Sequence, residues 1–360
     1  MILREYQVEA SEWLSRRARG VVCLAAGGGK TIVAAAALNR AINARVRDLK
    51  VRVGWMANTI EQVEQARKAI RLFPDVVRQD VELACAAAGT DWSDRDVLVV
   101  DECHHGIAPS WLAQISTCAG ARWGLTATPP EDAEDTLKLR ELLGEFLVID
   151  RSRVNHSLAP ATVRWRDATD PNLQPLIDAR VDRTVAMRSR WWKGDPGQLW
   201  GQVAWQAIVE IGIIENRLRN RDIITAAGGR AQTLVLVNQI EHGKSLAERI
   251  SGAVPCFSKM GTKARKGALE GFITGDIRCL VATSLADEGL DLPNASVLVM
   301  GCGGRSNART EQRTGRVLRQ FAGKSRGLIY DYTDTFHPLA AKHSRIRGEL
   351  YKKLGYHIEG

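Results

Sequence analysis

The 360-residue sequence lacks several features that define other classes of protein. It contains no run of about 18 uninterrupted apolar residues, which a membrane-spanning helix needs. Its seven cysteines are scattered without a CxxC pair, which argues against a disulfide framework and a cysteine-rich zinc site. The N-terminus carries Glu5 and Glu9 and has no apolar core of a signal peptide. We therefore expect a cytoplasmic protein, in a reducing compartment, with no membrane partner.

Charge is divided unevenly along the chain, whose formal net charge is +9. Residues 1–150 hold 18 Lys and Arg against 21 Asp and Glu, whereas residues 151–360 hold 32 against 20. A basic second part indicates a polyanionic partner, such as a nucleic acid, that binds mainly there. A solvated basic surface is the alternative, and charge alone does not decide between the two.

Short β-branched runs alternate with helical stretches, and this alternation begins twice. In the first half the predicted strands are Val21–Leu24, Val51–Trp55, Val97–Val100 and Arg122–Leu125, and the predicted helices are Tyr6–Arg17, Lys30–Ala44, Ile60–Leu72 and Trp111–Thr117. In the second half the strands are Thr233–Val237, Ile277–Ala282, Ser296–Met300 and Gly327–Tyr330, and the helices are Ile240–Ile250, Ala264–Phe272 and Arg309–Phe321. The pattern predicts an α/β protein with mostly parallel sheets flanked by helices.

A less regular stretch separates the two α/β parts. It opens with a non-periodic segment around His156–Trp165 and ends in a predicted long amphipathic helix, Leu199–Thr225, followed by two glycines. Half of the ten tryptophans lie here: Trp165, Trp191, Trp192, Trp200 and Trp205. Clustered tryptophans stack on nucleic-acid bases or pack a helix onto a sheet, and we expect packing, the commoner role. The predicted division of the chain is 1–150, 151–231 and 232–360, with a final helix at Phe336–Tyr351.

A glycine-rich stretch, Gly27-Gly28-Gly29-Lys30-Thr31, follows a predicted strand and opens a helix. The backbone N–H groups of such a loop, together with the helix N-terminus, wrap a polyphosphate. In this pattern Lys30 reaches the β- and γ-phosphates, and the Thr31 hydroxyl binds Mg²⁺. The full pattern has a glycine where Leu24 stands, so a plain glycine-rich turn is the alternative.

Two adjacent acids, Asp101 and Glu102, end the apolar run Leu98–Val100. A buried strand that delivers carboxylates at its C-terminal end is what a Mg²⁺-nucleotide site requires. Asp101 is the expected magnesium ligand, and Glu102 is the expected general base for the attacking water. A pair of exposed loop acids is the alternative. A zinc site at Cys103-His104-His105 is disfavoured, because adjacent residues on one short turn cannot build a tetrahedral site alone.

Together these two motifs resemble motifs I and II of the superfamily 2 helicases and translocases. Four further stretches are similar to motifs of that family and occur in its order: Leu3-Arg4-Glu5-Tyr6-Gln7 (the N-terminal glutamine element), Leu125–Pro129 (motif III), Val281–Thr283 with Glu288–Pro293 (motif V) and Gln312–Arg319 (motif VI). The resemblance covers nearly the whole chain. It implies two tandem RecA-like domains, in residues 1–150 and 232–360, with the ATP site in the cleft between them.

The resemblance assigns further residues to the nucleotide. Gln7 is expected to contact the adenine edge and so to select ATP, with Arg4 or Tyr6 packed against the base. The residues implied by motif V are Glu288, Gly289 and Asp291. ATP and Mg²⁺ are therefore the expected cofactors.

A physical argument also supports the assignment of motif VI. Arg316 and Arg319 stand three residues apart, which places them on one face of a predicted helix. Guanidinium groups at a γ-phosphate stabilise the charge that develops during phosphoryl transfer. An ordinary basic helix face is the alternative for an isolated RxxR. By resemblance, Gln312 contacts the γ-phosphate or His104.

The resemblance also names residues that connect hydrolysis to the nucleic acid. His104, Thr126 and Thr128 are the expected coupling residues. The expected nucleic-acid contacts are Asn58 and Thr59, at the motif Ia position, and Thr283. Hydroxyls and amides suit phosphates, which carry no sequence information, so binding should be non-specific and salt-sensitive.

The expected function is ATP-dependent movement along a nucleic acid, or its remodelling, with hydrolysis of ATP to ADP and phosphate. The DECHH form of motif II and the ADEGLDLP form of motif V are similar to the DNA-directed groups that include XPB, UvsW, RadD and restriction-enzyme motors. Only residues 294–311 lie between motifs V and VI, too few for a long strand-splitting hairpin. We expect a monomeric motor on double-stranded or branched DNA with weak strand separation. Single-stranded DNA or RNA as the track, and a non-autonomous motor or clamp subunit of a larger complex, are the alternatives.

Overall fold

The computed structural model describes residues 2–44, 50–127, 129–130, 132–155, 159–229, 231–257, 259–283, 292–318, 321 and 324–359. The chain divides into two compact units. Unit 1 lies within residues 1–158, and unit 2 lies within residues 159–283 and 292–359. The predicted three-part division at residues 150 and 231 stays a prediction. None of the helices in the described ranges is long and apolar enough to cross a membrane.

Unit 1 is built around a parallel sheet. Its strands, within the described residues, are β1 (Arg19–Cys23), β2 (Arg52–Ala57), β3 (Asp80–Cys85), β4 (Val97–Asp101), β5 (Ala121–Thr126) and β6 (Phe146–Val148), in the spatial order β3-β2-β4-β5-β1-β6. The central strand β4 is buried along its whole length, as expected of a parallel strand covered on both faces. The four strands predicted for this half are confirmed to within two residues at either end.

Helices flank this sheet. They are α1 (Glu5–Ser15), α2 (Lys30–Asn43), α3 (Ile60–Ile70), α4 (Pro74–Val77), α5 (Pro109–Thr117), α6 (Ala133–Leu143) and α7 (Arg151–Asn155), with short 3-10 turns at Ala86–Ala88 and Cys103–Ile107. Because the strands are parallel, their carboxyl ends lie at one edge of the sheet. There Cys23 of β1 pairs with Thr126 of β5, and Asp101 of β4 pairs with Leu125. This edge brings the glycine-rich loop, the two acids and motif III together.

Unit 2 contains a second parallel sheet. Its strands, in the part of the chain that is described, are β7 (Ala161–Arg166), β8 (Thr233–Leu236), β9 (Ala253–Cys256), β10 (Cys279–Ala282), β11 (Val297–Met300), β12 (Gly327–Tyr332) and β13 (His357–Glu359), in the order β13-β7-β12-β11-β8-β10-β9. Its helices are α8 (Leu173–Arg188), α9 (Pro196–Ala207), α10 (Arg217–Ala227), α11 (Ile240–Arg249), α12 (Thr262–Thr274), α13 (Asn307–Arg316) and α14 (Pro338–Lys353). The predicted class, α/β with two mostly parallel sheets flanked by helices, is confirmed.

The irregular stretch between the two α/β parts departs from prediction. The segment expected to be non-periodic contains β7, which pairs with β12 and β13. The single helix predicted over Leu199–Thr225 is wrong, since α9 passes into a π-helical segment, Ile208–Ile214, and a new helix starts at Arg217. The cause is Asn216, whose carbonyl oxygen Oδ1 accepts from the Arg219 N–H at 3.0 Å and whose amide donates to the Ala168 carbonyl at 3.0 Å. This side chain caps helix α10 and links its start to the backbone at Ala168.

Two further features of this stretch were not predicted. Helix α8 buries only Leu173, Ile177 and Val181, a narrow apolar stripe that leaves little periodic signal in the sequence. The expectation that the clustered tryptophans pack inside the protein is wrong for Trp191 and Trp200, which are 85% and 46% exposed.

Candidate active site

The glycine-rich loop connects β1 to α2 in unit 1. Gly27 and Gly29 have φ angles of +82° and +85°, in the left-handed region that glycine adopts at little cost. Gly29 is also the N-cap of α2, and it brings no side chain to the N–H groups of the first helical turn. These N–H groups are therefore available to an anion, as a phosphate-binding loop requires.

Side chains of the N-terminal element contact this loop. The Tyr6 hydroxyl and the Gln7 amide both donate to the carbonyl of Gly28, at 3.1 and 3.0 Å. Gln7 Oε1 accepts from the backbone N–H of Arg4 at 3.0 Å, and the Arg4 guanidinium donates to the Tyr6 hydroxyl at 3.1 Å. Both Tyr6 and Gln7 are buried. The structure thus gives Tyr6 and Gln7 a loop-supporting position that the sequence did not reveal. Contact of Gln7 with the adenine edge, and packing of Arg4 or Tyr6 against the base, stay predictions.

A methyl group at Gly29 should disturb this arrangement. Its Cβ would lie 2.6 Å from Gln7 Nε2, and the φ of +85° strains any residue with a side chain. We expect Gly29→Ala to weaken binding of a fluorescent ATP analogue by at least about tenfold, and to destabilise the fold by about 1–2 kcal/mol. The control is Gly89→Ala, which also has a positive φ but meets nothing within 4 Å. It should lose similar stability and keep full nucleotide binding; equal binding by both variants would contradict the proposed role of the loop.

The two acids of motif II lie directly beside the loop. Asp101 ends β4 and is 5% exposed, and its Oδ1 accepts from the Glu102 N–H at 3.0 Å. Glu102 takes the left-handed conformation, with φ 51° and ψ 48°. Lys30 Nζ lies 3.3 Å from Glu102 Oε1, and both side chains are 13% exposed. The acids are therefore part of a largely buried cluster and not exposed loop residues.

The surroundings shift the pKa values of the two carboxyl groups in opposite directions. Burial and the neighbouring Glu102 raise the pKa of Asp101 to about 7. Burial alone would raise the pKa of Glu102 as well, but Lys30 and His104 bring it below its ordinary value. Burial lowers the pKa of His104 to about 4, so this ring is neutral at neutral pH. Glu102 is thus ionised near neutrality, the state that a general base needs.

The donor set at this edge fits Mg²⁺. Asp101 offers a carboxylate and Thr31 a hydroxyl, the hard oxygen donors that this ion prefers. Two adjacent carboxylates with Lys30 as their cationic neighbour also favour additional positive charge. No group of three or more His, Cys, Asp or Glu side chains in the described ranges could hold a metal ion, whereas Mg²⁺ is commonly bound through one or two carboxylates plus substrate phosphates.

Cys103, considered above as a zinc ligand, lies in the hydrophobic core of unit 1. A Cβ on Gly124 would lie 2.8 Å from its sulfur, so thiol and glycine are in close contact. Burial raises the pKa of this thiol well above its ordinary value. A neutral buried thiol packs and does not coordinate.

A chain of polar contacts leads from motif II to motif III. His104 Nδ1 lies 3.1 Å from Thr126 Oγ1 and 3.5 Å from Glu102 Oε2. Thr126 is fully buried at the end of β5. The structure therefore brings together two of the three expected coupling residues, and Thr128 lies outside the described residues. Their coupling role stays a prediction.

The expected nucleic-acid contacts occupy strand ends. Asn58 and Thr59 follow β2; Thr59 Oγ1 accepts from the Gln62 N–H at 3.3 Å and so caps α3. Thr283 follows β10 in unit 2 and is 4% exposed, and its hydroxyl has no hydrogen-bond partner among the residues described. Contact of these residues with a nucleic acid stays a prediction. The motif V residues Glu288, Gly289 and Asp291 lie outside the described part of the chain.

Motif VI lies on α13 of unit 2. Gln312 is half-buried and Arg316 is 6% exposed. The helix predicted to run to Phe321 ends at Arg316, because its last turn tightens through hydrogen bonds from the Val317 N–H to Thr314 and from the Leu318 N–H to Gly315. The helix is therefore shorter than predicted, and the inference that Arg316 and Arg319 share a helical face stays a prediction. Arg319 lies outside the described residues, and the catalytic roles in this motif stay predictions.

A buried ion-pair network, which the sequence did not reveal, holds the segment that precedes motif VI. Arg347 donates to Asp331 at 2.8 and 2.9 Å and to the carbonyl of Gly304 at 2.7 Å. Arg219 pairs with Asp334 and donates to the carbonyl of Met300 at 3.4 Å. Both arginines are 1% exposed. The network therefore holds the end of β11 and Gly304 within the loop that leads to α13.

Two family models and several curated relatives match this chain. The family model described as type III restriction enzyme, res subunit, matches residues 1–84, and that described as helicase conserved C-terminal domain matches residues 218–320. The chain is 26% identical to the DNA 3'-5' helicase XPB of Mycobacterium tuberculosis over 98% of its length, and 28% identical to that of Kineococcus radiotolerans over 88%. It spans 64% and 57% of the lengths of these two relatives.

The fold has a counterpart among solved structures. The crystal structure of the Pyrococcus furiosus Hef helicase domain matches 96% of this chain and 100% of its own, with a TM-score of 0.54 and 16% identity. At that identity the likeness is one of fold. The two family models, the relatives and the order of the sequence motifs together support the assignment to helicase superfamily 2, of the XPB and restriction-motor type.

Proposed function

We propose that this chain is an ATP-dependent DNA translocase and helicase that moves 3' to 5'. The observation that carries the proposal is the buried cluster of Lys30, Asp101 and Glu102 beside the open N-terminus of α2. The relatives named as DNA 3'-5' helicases support the track and the direction. Double-stranded or branched DNA is the proposed substrate, with weak strand separation.

Each residue of the cluster has a proposed role. The N–H groups of the loop and the Lys30 ammonium bind the phosphates of ATP, and Lys30 exchanges its contact with Glu102 for phosphate oxygens. Glu102, released from that contact and ionised near neutrality, accepts a proton from the attacking water. Asp101 and Thr31 would hold Mg²⁺, which when bound neutralises charge on the β- and γ-phosphate oxygens. His104 and Thr126 pass the change at Glu102 to motif III.

Motif VI supplies the proposed transition-state stabilisation. We expect Arg316→Ala to slow turnover by about 10³-fold or more while ATP binding stays largely intact, since an arginine finger acts on the charge that develops during transfer. Steady-state hydrolysis and equilibrium nucleotide binding measure the two effects. Arg309→Ala, an exposed arginine on the same helix, is the matched control and should hydrolyse ATP normally. Undiminished turnover by Arg316→Ala would reject its role as a finger.

The proposed function is tested by ATP hydrolysis of the purified chain alone and with single-stranded, double-stranded and forked DNA and RNA, at one low salt concentration. We expect the strongest stimulation by duplex or forked DNA, and displacement of streptavidin from one end of the track only, consistent with 3'-to-5' movement. Stimulation of hydrolysis by RNA alone would indicate an RNA-remodelling enzyme. No turnover on any track would indicate a clamp or a motor that needs a partner.

The assembly state and compartment are further proposals. We propose a monomeric motor in the cytoplasm. The seven cysteines are free thiols, which suits a reducing compartment. Sedimentation of the chain with and without DNA tests the monomeric state, and a stable dimer would contradict it.

A further inference from the structure

A turn that carries two tryptophans joins α8 to α9 in unit 2. Residues 186–198 are all exposed, and the Trp191 side chain is 85% exposed. Burying an indole is among the largest hydrophobic contributions that one side chain makes, and this position forgoes it. Trp191 is therefore an apolar surface available to a ligand.

The turn is ordered by its own hydrogen bonds. The N–H groups of Trp191 and Trp192 donate to the Arg188 carbonyl at 3.0 and 3.1 Å. The Trp192 indole donates to the Asp195 carbonyl at 3.0 Å and lies over Gly194, where a Cβ would come within 3.1 Å of the ring. The Asp195 carboxylate accepts from the Gln198 N–H at 2.8 Å and caps α9. Trp192 thus braces the turn, which presents Trp191 in a defined position.

The turn also carries positive charge. Residues 182–195 contain four cationic side chains, Arg183, Arg188, Arg190 and Lys193, and two carboxylates, Asp182 and the Asp195 that caps α9. Among the described residues, neither Arg190 nor Lys193 has an ion-pair or hydrogen-bond partner. Their charge is therefore free to attract an anionic ligand.

Arg188, at the end of α8, contacts the neighbouring helix α9. Its Nη1 donates to Gln206 Oε1 at 3.4 Å. Gln206 lines a cavity of unit 2 whose lining also includes Arg305, Arg309 and Glu210. The exposed aromatic ring and the cations of the turn itself, Arg190 and Lys193, are therefore the features that suit a polyanion with flat apolar groups.

We propose that Trp191 stacks on an unpaired base of a DNA strand whose phosphates contact Arg190 and Lys193. The inference rests on the proposed function and deepens it, because it adds a base contact to the phosphate contacts expected at the strand ends. Single strands offer base faces and phosphates together, whereas a blunt duplex keeps its bases stacked inside. The turn therefore distinguishes forked and single-stranded DNA from blunt duplex.

The test compares Trp191→Ala with the unaltered chain. Affinity is measured by fluorescence anisotropy for a single-stranded oligothymidylate, a fork with single-stranded arms and a blunt duplex of equal length. We expect Trp191→Ala to bind the single strand and the fork about 5-fold to 100-fold more weakly, and the blunt duplex equally well. Trp191→Phe should restore most of the loss, because a phenyl ring still stacks.

A matched control lies on the same pair of helices. Trp200 is 46% exposed on α9, a helix without charged residues, and Trp200→Ala should bind all three DNAs normally. The double variant Arg190→Gln and Lys193→Gln should bind all three DNAs more weakly and with a lower salt dependence, since all three DNAs carry phosphates.

The outcomes separate this inference from the proposed function. If the unaltered chain is stimulated by DNA and Trp191→Ala binds every track normally, the stacking proposal is wrong and the function stands. If Trp191→Ala binds all three DNAs equally more weakly, the turn contacts only phosphates, and base stacking is overturned. A change in sedimentation with unchanged DNA binding would assign the turn to protein association. No DNA binding by the unaltered chain would overturn both proposals.

Discussion

Glu102→Gln is expected to lower the rate of ATP hydrolysis by about 10³-fold or more and to leave ATP binding intact. The amide keeps the size of the side chain but cannot accept the proton of the attacking water, and general-base catalysis contributes about 10²–10⁴-fold. It also removes the negative charge 3.3 Å from Lys30, so the ammonium is free for phosphate oxygens before ATP arrives. Nucleotide affinity should therefore be unchanged or higher. Phosphate release and binding of a fluorescent ATP analogue measure the two effects.

The control for this variant is Glu64→Gln, which removes an exposed carboxylate from α3 in the same unit. It should hydrolyse ATP at the normal rate, because a surface ion pair contributes little. Near-normal turnover by Glu102→Gln would mean that another group accepts the proton. A joint loss of binding and turnover would mean that Glu102 supports the loop more than the chemistry.

Lys30→Ala is expected to abolish hydrolysis and to weaken ATP binding. The variant loses the cation that contacts the β- and γ-phosphates, and it also leaves the buried Asp101 and Glu102 without the ammonium that lowers their pKa values. Removing one partner of a buried pair costs about 3–5 kcal/mol, and slightly less is expected here because both side chains are 13% exposed.

The stability loss has a defined pH dependence. Without Lys30 the folded-state pKa of Glu102 rises, and a carboxyl group with a raised pKa destabilises the fold as pH increases through it. The deficit of Lys30→Ala in unfolding experiments should therefore be largest near neutral pH and shrink on acidification. Adding Glu102→Gln to Lys30→Ala should recover much of the stability but none of the hydrolysis. Arg40→Ala, on the outer part of the same helix, is the control and should change neither. An equal deficit at all pH values would show that packing, not charge, sets the loss.

The sequence predicted the parallel strands and the nucleotide cluster well, because both depend on local signals. A continuous apolar run such as Leu98–Val100 needs burial on two faces, and the strand order then brings its carboxyl end beside the glycine-rich loop. The proximity of Lys30, Glu102 and His104 follows from topology and from motifs that lie more than 70 residues apart.

The parts that were missed depend on contacts remote in sequence. The break before α10 is due to the Asn216 amide contacting Ala168, and no local pattern reveals that partner. The support of Gly304 by Arg347 joins residues 43 positions apart. Its one local trace is the pair of acids, Asp331 and Asp334, in an aromatic stretch that precedes an arginine-bearing helix.

The left-handed backbone of Glu102 has a consequence for the evolution and engineering of this protein. A glutamate at φ 51° is strained by about 1–2 kcal/mol, whereas glycine or asparagine tolerates that conformation more easily. Substitution by either relieves that strain but leaves the Lys30 ammonium without its partner, a loss of about 3–5 kcal/mol in a buried pair, which outweighs the gain. A library selected for thermal robustness should therefore keep an acidic side chain at this position as long as Lys30 is present, so the strained backbone persists together with the proposed base.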